Sequence, residues 1–328
     1  MNKKSVGSLI LIMSVFVIFA GVACAKEKVA DVQFVSGNTG GSWASMAAVI
    51  ADRANQHFEG FPINAVPGGS IANIPLLEKG TAQVGMSQGP FLGAAIAGIS
   101  PYPKPIKGLN AICSLVPMCV YFLVADEFKG DTLGEVLKNG KGLTIGTTPR
   151  GNSSSYVTEY VFDKYGMKSL DEIKKRGSKI VYADQASLQD SWSDRNIDFY
   201  TYNTALPSSV ISEFLTVRKS RLVALEDNVI ERLVKENGFI KMTIPANTFP
   251  NQPNEIKTVG MSTVVLARGD LPNIVAYTIA KTVHDEKSYL EAAQAAFKGF
   301  DVKDMAKGLV FDIHPGALKY YKEIGLVN

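Results

Sequence analysis

The chain has 328 residues, of which 46% are hydrophobic and 20% charged, with a formal net charge of +3 and only three cysteines and three histidines. This balance gives no strong basic excess, so no nucleic-acid partner is expected. The length exceeds what one hydrophobic core usually organises, and two domains are therefore expected.

The first 25 residues have the pattern of an export signal. Two lysines precede an apolar stretch over residues 9–20 that is too short to span a bilayer, and the A-C-A tripeptide 23–25 offers a cleavage site before Lys26. A lipid anchor on Cys24 is the alternative, although Gly21 stands where a lipobox prefers a Leu-like residue. The prediction is a periplasmic protein without a later membrane-spanning segment.

Three Gly/Ser/Asn-rich loops each follow a short apolar run and open into a helical pattern. They lie within DVQFVSGNTGGSWASMAAVIADR from Asp31, INAVPGGSIANIPLLEKG from Ile63 and LTIGTTPRGNSSSYVTEYVFDKYG from Leu143. The amides of a first helical turn have no partner within the helix and carry partial positive charge, so such loops tend to hold anions and carboxylates. Loops that converge on one cleft would form a small-molecule site.

Apolar residues after the first loop recur at helical spacing and predict a helix that buries one face. Trp43 either begins this apolar stripe or forms an apolar wall of the site. The residues that mark this helix and two later ones are Trp43, Met46, Ala47, Ile50 and Ala54, then Val157 and Val161, then Val275, Ile279 and Val283.

Strand-like runs alternate with helical patterns through most of the chain, which predicts an α/β fold with largely parallel pairing. Composition changes near residues 126 and 258 predict two crossings between lobes that close around a ligand. The predicted division is a signal peptide over residues 1–25, lobe 1 over residues 26–125 plus 258–328, and lobe 2 over residues 126–257.

Arg150 is the only charged residue within the cores of the three loops. Its guanidinium suits a carboxylate held by two parallel hydrogen bonds, whereas a solvated surface arginine is the alternative. A fourth loop follows a strand predicted over residues 197–202, with a turn at Asn203 and Thr204. Tyr202 and these turn residues then stand at a strand's C-terminal end, where open α/β sheets place their ligands.

Residues 85–89, GMSQG, match the G-x-S-x-G motif of serine hydrolases, and Pro90 follows at a helix start. His314 lies downstream, as the order of a hydrolase triad requires. However, no HGGG-type oxyanion segment precedes the motif, and His314 is also interpreted as a cap or packing group at a helix start. Ser87 and Gln88 are candidates for ligand contact because they end a strand.

The three histidines show no metal-ligand spacing, and no dinucleotide or phosphate-loop motif occurs, so neither a metal nor a cofactor is expected. Hydroxyl and amide donors are abundant, which favours a binding protein over an enzyme. Cys113 and Cys119 either pair, if the chain turns near Pro117, or remain buried thiols on one strand face.

The order of the motifs resembles the TAXI-type solute-binding subunits of TRAP (tripartite ATP-independent periplasmic) transporters. The matching segments are TGGSW, PGGSIANIPLLEKGTAQVGMSQ, IGTTPRGNSSS and IHPGALKYYKEIGL, which together span essentially the whole chain after the signal. The resemblance implies a two-lobed periplasmic-binding-protein fold of the type II kind, with two mixed sheets flanked by helices and joined by hinge strands. It also implies ligand capture between the lobes and delivery to a TRAP permease driven by an ion gradient.

The family's glycine loop falls on residues 39–42 and its GGS-x-x-N block on residues 68–73. Gly89 stands where an Asp is common, and Trp43 and Ala44 replace paired tyrosines. The loop at residues 150–153 replaces a Gly-Ser-Gly-Thr sequence and adds an arginine. Loss of a carboxylate and gain of an arginine favour an anionic solute, a dicarboxylate or an acidic amino acid.

The residues expected to contact the ligand are Asn38, Thr39, Gly40, Gly41, Ser42, Trp43, Ser70, Asn73, Ser87, Gln88, Arg150, Asn152, Ser153, Ser154, Tyr202 and Thr204. Two other functions remain open on the sequence alone. One is the binding subunit of an ATP-driven importer, and the other is a secreted serine hydrolase that uses Ser87.

Overall fold

A computed structural model describes residues 31–57, 60, 62–139, 142–167 and 170–327. The predicted signal peptide and Cys24 lie outside the described residues. Among the helices of the described part, none combines the length and apolar character that crossing a bilayer requires.

Ten strands of the described residues join in one hydrogen-bonded network. They are β1 (Val32–Val35), β2 (Ile63–Val66), β3 (Val84–Gln88), β4 (Leu109–Ala125), β5 (Thr144–Thr147), β6 (Lys179–Tyr182), β7 (Phe199–Thr204), β8 (Ser220–Leu222), β9 (Ile240–Ile244) and β10 (Ile256–Arg268).

Twelve α-helices of the described residues flank these strands. They are α1 (Ser42–His57), α2 (Asn73–Glu78), α3 (Gly89–Ala97), α4 (Leu133–Asn139), α5 (Ser153–Lys164), α6 (Leu170–Lys175), α7 (Gln185–Ser193), α8 (Ser209–Val217), α9 (Asp227–Asn237), α10 (Asn273–Asp285), α11 (Lys287–Ala293) and α12 (Pro315–Glu323).

The two longest strands, β4 and β10, pair antiparallel and belong to both halves of the molecule. In one half, β3 pairs with the C-terminal part of β10, and β1 and β2 continue outward in parallel. In the other half, β7 pairs with the C-terminal part of β4, and β5 and β6 continue outward in parallel. The predicted α/β fold with two lobes and hinge strands is therefore present. Two details of the prediction are wrong, because the described strands form one ten-stranded network instead of two sheets, and antiparallel pairs outnumber parallel pairs by five to four.

The change of strand partners lies inside the two long strands. Along β4, residues up to Leu115 pair with the part of β10 that also pairs with β3. Residues from Cys119 onward pair with β7. Along β10, the corresponding change lies between Gly260 and Thr263. A buried strand gives no sequence signal at the point where its partners change. The lobe limits at residues 126 and 258 stay a prediction.

The three helices predicted from apolar spacing are confirmed as α1, α5 and α10, and each buries the expected side chains. The two faces of the network carry separate cores. One core continues across both lobes under α2, α3, α5 and α9, while α1, α10 and α12 cover the other face of lobe 1. In lobe 2 the other face packs on α7 and α8, where Trp192 is fully buried and its Nε1 donates to the Phe214 carbonyl at 2.9 Å.

The turn predicted at Asn203 and Thr204 is wrong, because β7 continues through both residues. Asn203 lies opposite Val120 and Thr204 opposite Cys119 in the antiparallel ladder with β4. Pairing with a long neighbouring strand therefore overrides the local turn preference of Asn.

Cys113 and Cys119 are free and buried, so the disulfide alternative is wrong and the buried-thiol alternative is confirmed. Both lie on the uninterrupted strand β4, which does not turn at Pro117. Burial raises the pKa of both thiols, that of Cys119 to about 12, because the thiolate loses its hydration.

His314 is fully buried at the start of α12, where its Nδ1 accepts a hydrogen bond from the Gly316 amide at 3.2 Å. Its own amide donates to the Ala111 carbonyl of β4 at 2.8 Å. The interpretation of His314 as a helix cap is thus confirmed. Burial lowers the pKa of His314, because a charged imidazolium would lose its hydration.

We expect the free energy of unfolding to fall as the pH drops below about 6.5, because the unfolded chain then binds a proton that the folded His314 resists. His314→Asn keeps a capping acceptor but cannot titrate, so its unfolding free energy should vary less between pH 7 and pH 5. Urea unfolding at several pH values measures both slopes. Parallel pH profiles for parent and variant would contradict the assignment.

Candidate ligand-binding cleft

A cavity lies between the lobes, where the C-terminal ends of β1, β3, β5 and β7 approach one another. We call this cavity the cleft. Its lining residues are Gly37, Asn38, Gly41, Ser42, Trp43, Gly69, Ser70, Gln88, Met118, Thr148, Asn152, Ser153, Ser154, Tyr202, Asn203 and Thr204.

The lining is polar yet carries no charged side chain among the described residues. Four polar atoms on it are buried without a hydrogen-bond partner, namely Trp43 Nε1, Ser70 Oγ, Gln88 Oε1 and Thr148 Oγ1. None of these four residues is more than 8% exposed. Buried polar groups are normally paired, so four unpaired ones around one cleft, three from lobe 1 and one from lobe 2, are candidates for contact with a polar ligand.

Each lobe also directs one helix N-terminus at the cleft. Residues 41–43 of lobe 1 contain the start of α1, and residues 152–154 of lobe 2 contain the start of α5. Asn152 occupies the N-cap of α5, but its side chain makes no capping hydrogen bond. Amides of both first turns are therefore available to a bound anion, and both helix dipoles favour negative charge there.

Asn203 fixes the N-terminal turn of α5. Its Oδ1 accepts from Ser153 Oγ at 3.0 Å and from Ser154 Oγ at 2.7 Å, and its amide donates to Ser154 Oγ at 3.3 Å. The neighbouring Tyr202 donates its hydroxyl to Gln185 Oε1 at 2.9 Å. Burial raises the pKa of Tyr202 to about 12, so this hydroxyl stays a donor at neutral pH.

Asn73 is fully buried behind the cleft wall and holds three loops of lobe 1 together. Its Oδ1 accepts from the Gly69 amide at 2.9 Å, and its Nδ2 donates to the carbonyls of Ser36 at 2.7 Å and Met86 at 2.9 Å. Gly69 lies in the loop after β2, Ser36 follows β1, and Met86 lies within β3. Asn73 is thus a positioning residue: its side chain is fully occupied and does not line the cleft, and its contact with a ligand stays a prediction.

Ser87 is also buried and does not line the cleft. Its hydroxyl donates to the Ser70 carbonyl at 2.6 Å, which ties β3 to the loop after β2. His314 uses Nδ1 to cap α12, and no hydrogen bond joins it to Ser87 among the described residues. The Ser–His contact that a hydrolase needs is not formed.

The lobes touch beside the cleft. The amides of Ile71 and Ala72 in lobe 1 point at the Gly151 carbonyl of lobe 2, at 3.3 and 3.4 Å. A Cβ added at Gly69 would lie 2.6 Å from Asn152 Oδ1 and 2.7 Å from the same Gly151 carbonyl oxygen. Gly69 therefore permits the closest approach of the two lobes.

The residues expected to contact a ligand separate into two groups. Those that line the cleft are Asn38, Gly41, Ser42, Trp43, Ser70, Gln88, Asn152, Ser153, Ser154, Tyr202 and Thr204, whereas Thr39, Gly40, Asn73, Ser87 and Arg150 do not. The guanidinium of Arg150 pairs with Glu159 at 3.1 Å, and its side chain is 60% exposed. The carboxylate clamp by Arg150 stays a prediction that this arrangement does not support, because the side chain pairs with Glu159 of α5 and does not line the cleft.

Met118 and Thr148 line the cleft without having been predicted from the sequence. Met118 lies in β4 between the residues that pair within each lobe, a position that no local pattern marks. Thr148 follows β5 in the same loop as Arg150, and the rule that ligands meet the C-terminal ends of strands would have found it.

A wider space, which we call the outer opening, shares Gly41, Ser42, Tyr202 and Thr204 with the cleft. Gly40 lines this space, not the cleft itself. The remaining wall comes from the start of α8 and from residues 294–298, and Lys298 is the one charged residue on it within the described part. The outer opening gives the cleft a route to solvent.

Asn73→Ala should lower the free energy of unfolding by about 3 kcal/mol, because it leaves buried backbone groups of three loops unpaired. Urea unfolding and thermal melting measure the loss. Asn55→Ala is the matched control, since Asn55 bonds both backbone groups of Ile63 but lies away from the cleft. Both variants should lose stability, whereas only Asn73→Ala should weaken ligand binding; equal affinities for the two variants would contradict the positioning role.

Solved structures resemble the chain across both lobes. MatC from Rhodopseudomonas palustris with bound malate gives a TM-score of 0.54 at 16% identity, covering 90% of this chain and 97% of that chain. The periplasmic binding protein BugD gives 0.54 at 14% identity, covering 90% and 98%. A chain solved in work on glutathione import via GshT and the cystine ABC importer TcyBC of Streptococcus mutans gives 0.50 at 10% identity, covering 84% and 99%.

At these identities the likeness concerns the fold, which is the two-lobed fold of periplasmic binding proteins. A comparison with protein families matches the NMT1-like family over residues 34–325, which begins in β1 and ends after α12. The match therefore includes both lobes, both long strands and every loop of the cleft. The chain belongs to the NMT1-like family.

Proposed function

We propose that this chain is a periplasmic solute-binding protein that captures a small carboxylate-containing solute between its lobes and delivers it to a membrane importer. The observation that carries the proposal is the group of four buried, unpartnered polar atoms on an uncharged wall between two lobes. A solute with several oxygen atoms supplies the partners that these atoms lack, and lobe closure removes both from water.

The carboxylate assignment rests on the helix N-termini. Amides at the start of α1 and of α5 lie on opposite lobes, so a dicarboxylate presents one carboxylate to each. Each such contact contributes about 0.3–1 kcal/mol, and up to about 2 kcal/mol where it is partly buried. Lys298 at the outer opening adds a positive charge along the route to the cleft.

The contacts of Ser87, the candidate nucleophile of the G-x-S-x-G motif, support binding without turnover. Ser87 donates its hydroxyl to a backbone carbonyl, and His314 is occupied as a helix cap. The donors and acceptors of the cleft hold a ligand but offer no pair of groups that activates a nucleophile. The malate named with MatC and the periplasmic location named for BugD agree with this role for the shared fold.

The partner we propose is a TRAP permease, because the order of the TGGSW, GGS-x-x-N and HPGA motifs resembles TAXI-type subunits. Residues 1–25 would direct the protein to the periplasm where such a permease is reached. The second candidate is an ATP-driven importer, which is favoured by the fold shared with a chain from the glutathione import system of Streptococcus mutans. Uptake in proteoliposomes distinguishes the two, since the first requires an ion gradient and the second requires ATP.

Calorimetric titration of the purified exported protein tests the ligand class directly, with thermal shifts as the first screen of acids and neutral sugars. We expect binding of one or more small carboxylates. Trp43→Phe should weaken that binding about tenfold, because it removes a buried donor from the cleft. Arg150→Ala should change the affinity less than twofold, since Arg150 lies outside the cleft.

Binding of neutral sugars alone would contradict the carboxylate assignment. A large loss of affinity in Arg150→Ala would contradict the arrangement of the cleft, and ester hydrolysis that Ser87→Ala abolishes would contradict the binding function itself. Trp192→Phe is the matched control for Trp43→Phe, because Trp192 is buried in the core of lobe 2.

Gly69→Ala tests closure. The added Cβ would collide with Asn152 and Gly151 of the opposite lobe, so we expect at least tenfold weaker binding. Stability without ligand should change by less than about 1 kcal/mol. Gly93→Ala in α3 is the control, because nothing lies within 4 Å of its added Cβ. Calorimetry and small-angle scattering measure affinity and compaction. Unchanged affinity in Gly69→Ala would contradict closure by these loops.

A further inference from the structure

The walls of the binding space lack negative charge. Neither the sixteen residues that line the cleft nor the residues that line the outer opening include an aspartate or a glutamate. Glu159, which lies near the loop after β5, is paired with Arg150 outside the cleft. An ammonium group enclosed here would therefore lose its hydration without gaining a carboxylate partner.

The backbone adds positive partial charge to the same space. The N-termini of α1 and α5 face the cleft from opposite lobes, and Gln88 on the cleft wall is the N-cap residue of α3. These helices have 16, 12 and 9 residues; the first turns of α1 and α5 carry unpaired amides, whereas in α3 Pro90 lacks one of them. A cation in the cleft is repelled by the helix dipoles that stabilise a carboxylate.

The unpartnered side chains provide the second, independent observation. Trp43 Nε1 can only donate, and Ser70 Oγ and Thr148 Oγ1 both donate and accept. Gln88 Oε1 can only accept, so it suits a neutral hydroxyl of the ligand. All four atoms are buried in residues at most 8% exposed. Together they match carboxylate, hydroxyl and carbonyl oxygens, none of which requires a charged acid in the wall.

We infer that the cleft selects carboxylates whose second carbon bears a neutral hydroxyl or oxo group, and that it discriminates against the amino acid of the same carbon skeleton. This inference rests on the proposed function and decides between its two ligand classes, in favour of hydroxy or oxo dicarboxylates and against acidic amino acids. Specificity of this kind arises from the unpaired charge that the wrong ligand would bury, not from shape.

Matched pairs of ligands test the inference on the full exported protein. Calorimetry at pH 7.5 compares malate with aspartate, 2-oxoglutarate with glutamate, and lactate with alanine. In every pair that binds, the hydroxy or oxo acid should bind at least tenfold tighter than the amino acid. An amino acid that binds as tightly as its counterpart would overturn the inference, while the proposed carboxylate-binding function would stand.

A charge placed in the wall should invert this order. Gln88→Glu keeps the size of the side chain and adds the missing carboxylate, so we expect weaker binding of the hydroxy or oxo acid. The ratio of the two affinities within each ligand pair should shift at least tenfold in favour of the amino acid. Thr148→Asp repeats the change from the opposite lobe if the first variant does not fold. Melting temperatures of both variants verify folding before titration.

The failure of this inference is separable from that of the proposed function. If none of the acids binds but a neutral sugar does, both the carboxylate assignment and the inference are overturned. If the acids bind and the ratio within each pair stays the same in a folded Gln88→Glu protein, only the inference is overturned.

Discussion

One buried amide determines the shape of the lobe 1 side of the cleft. Asn73 accepts from the loop after β2 and donates to the chain leaving β1 and to β3, so three separate segments take their positions from a single side chain. The arrangement leaves no room at Gly68, where an added Cβ would lie 2.2 Å from Asn73 Oδ1. With these segments fixed, Ser70, Gln88 and the start of α1 face the same space.

The second constraint is that the two lobes share their strands. Because β4 and β10 run through both halves, rotation of one lobe relative to the other changes these strands near Met118 and Gly260 and leaves the pairing within each lobe intact. The cleft lies beside this crossing, and its walls combine backbone, hydroxyl and amide groups with the apolar side chains of Trp43 and Met118. Because this wall has no charged side chains, the backbone dipoles determine which ligand charge the site favours.

Much of this architecture is predictable from the sequence because its signals are local. The three glycine-rich loops, the apolar stripe of α1 and the Pro-initiated helix after β3 each depend on residues a few positions apart. The orientation of individual side chains is different. Asn73 and Ser87 turn inward because backbone acceptors from distant segments are within reach, and Arg150, just before α5, pairs with Glu159 on that helix. Those partners exist only once the lobes have formed.

Dependence on distant partners also explains two positions that the sequence did not predict, Asn203 in β7 and Met118 in β4. The local sequence around Asn203 favours a turn, yet Asn203 pairs with β4 as part of strand β7. Its side chain then accepts hydrogen bonds from Ser153 and Ser154 at the start of α5. Resemblance to TAXI-type subunits predicted the loops of the cleft, whereas Met118, which also lines it, carries no pattern of its own.

The two tryptophans have different surroundings, so intrinsic tryptophan fluorescence can report on the cleft. Trp43 borders the cleft with an unpartnered indole nitrogen, while Trp192 is fully enclosed in lobe 2 with its nitrogen already bonded to a carbonyl. A solute that enters the cleft changes the surroundings of the first indole only. Ultraviolet emission that shifts on solute entry therefore originates from Trp43, and the emission of Trp192 serves as a constant internal reference.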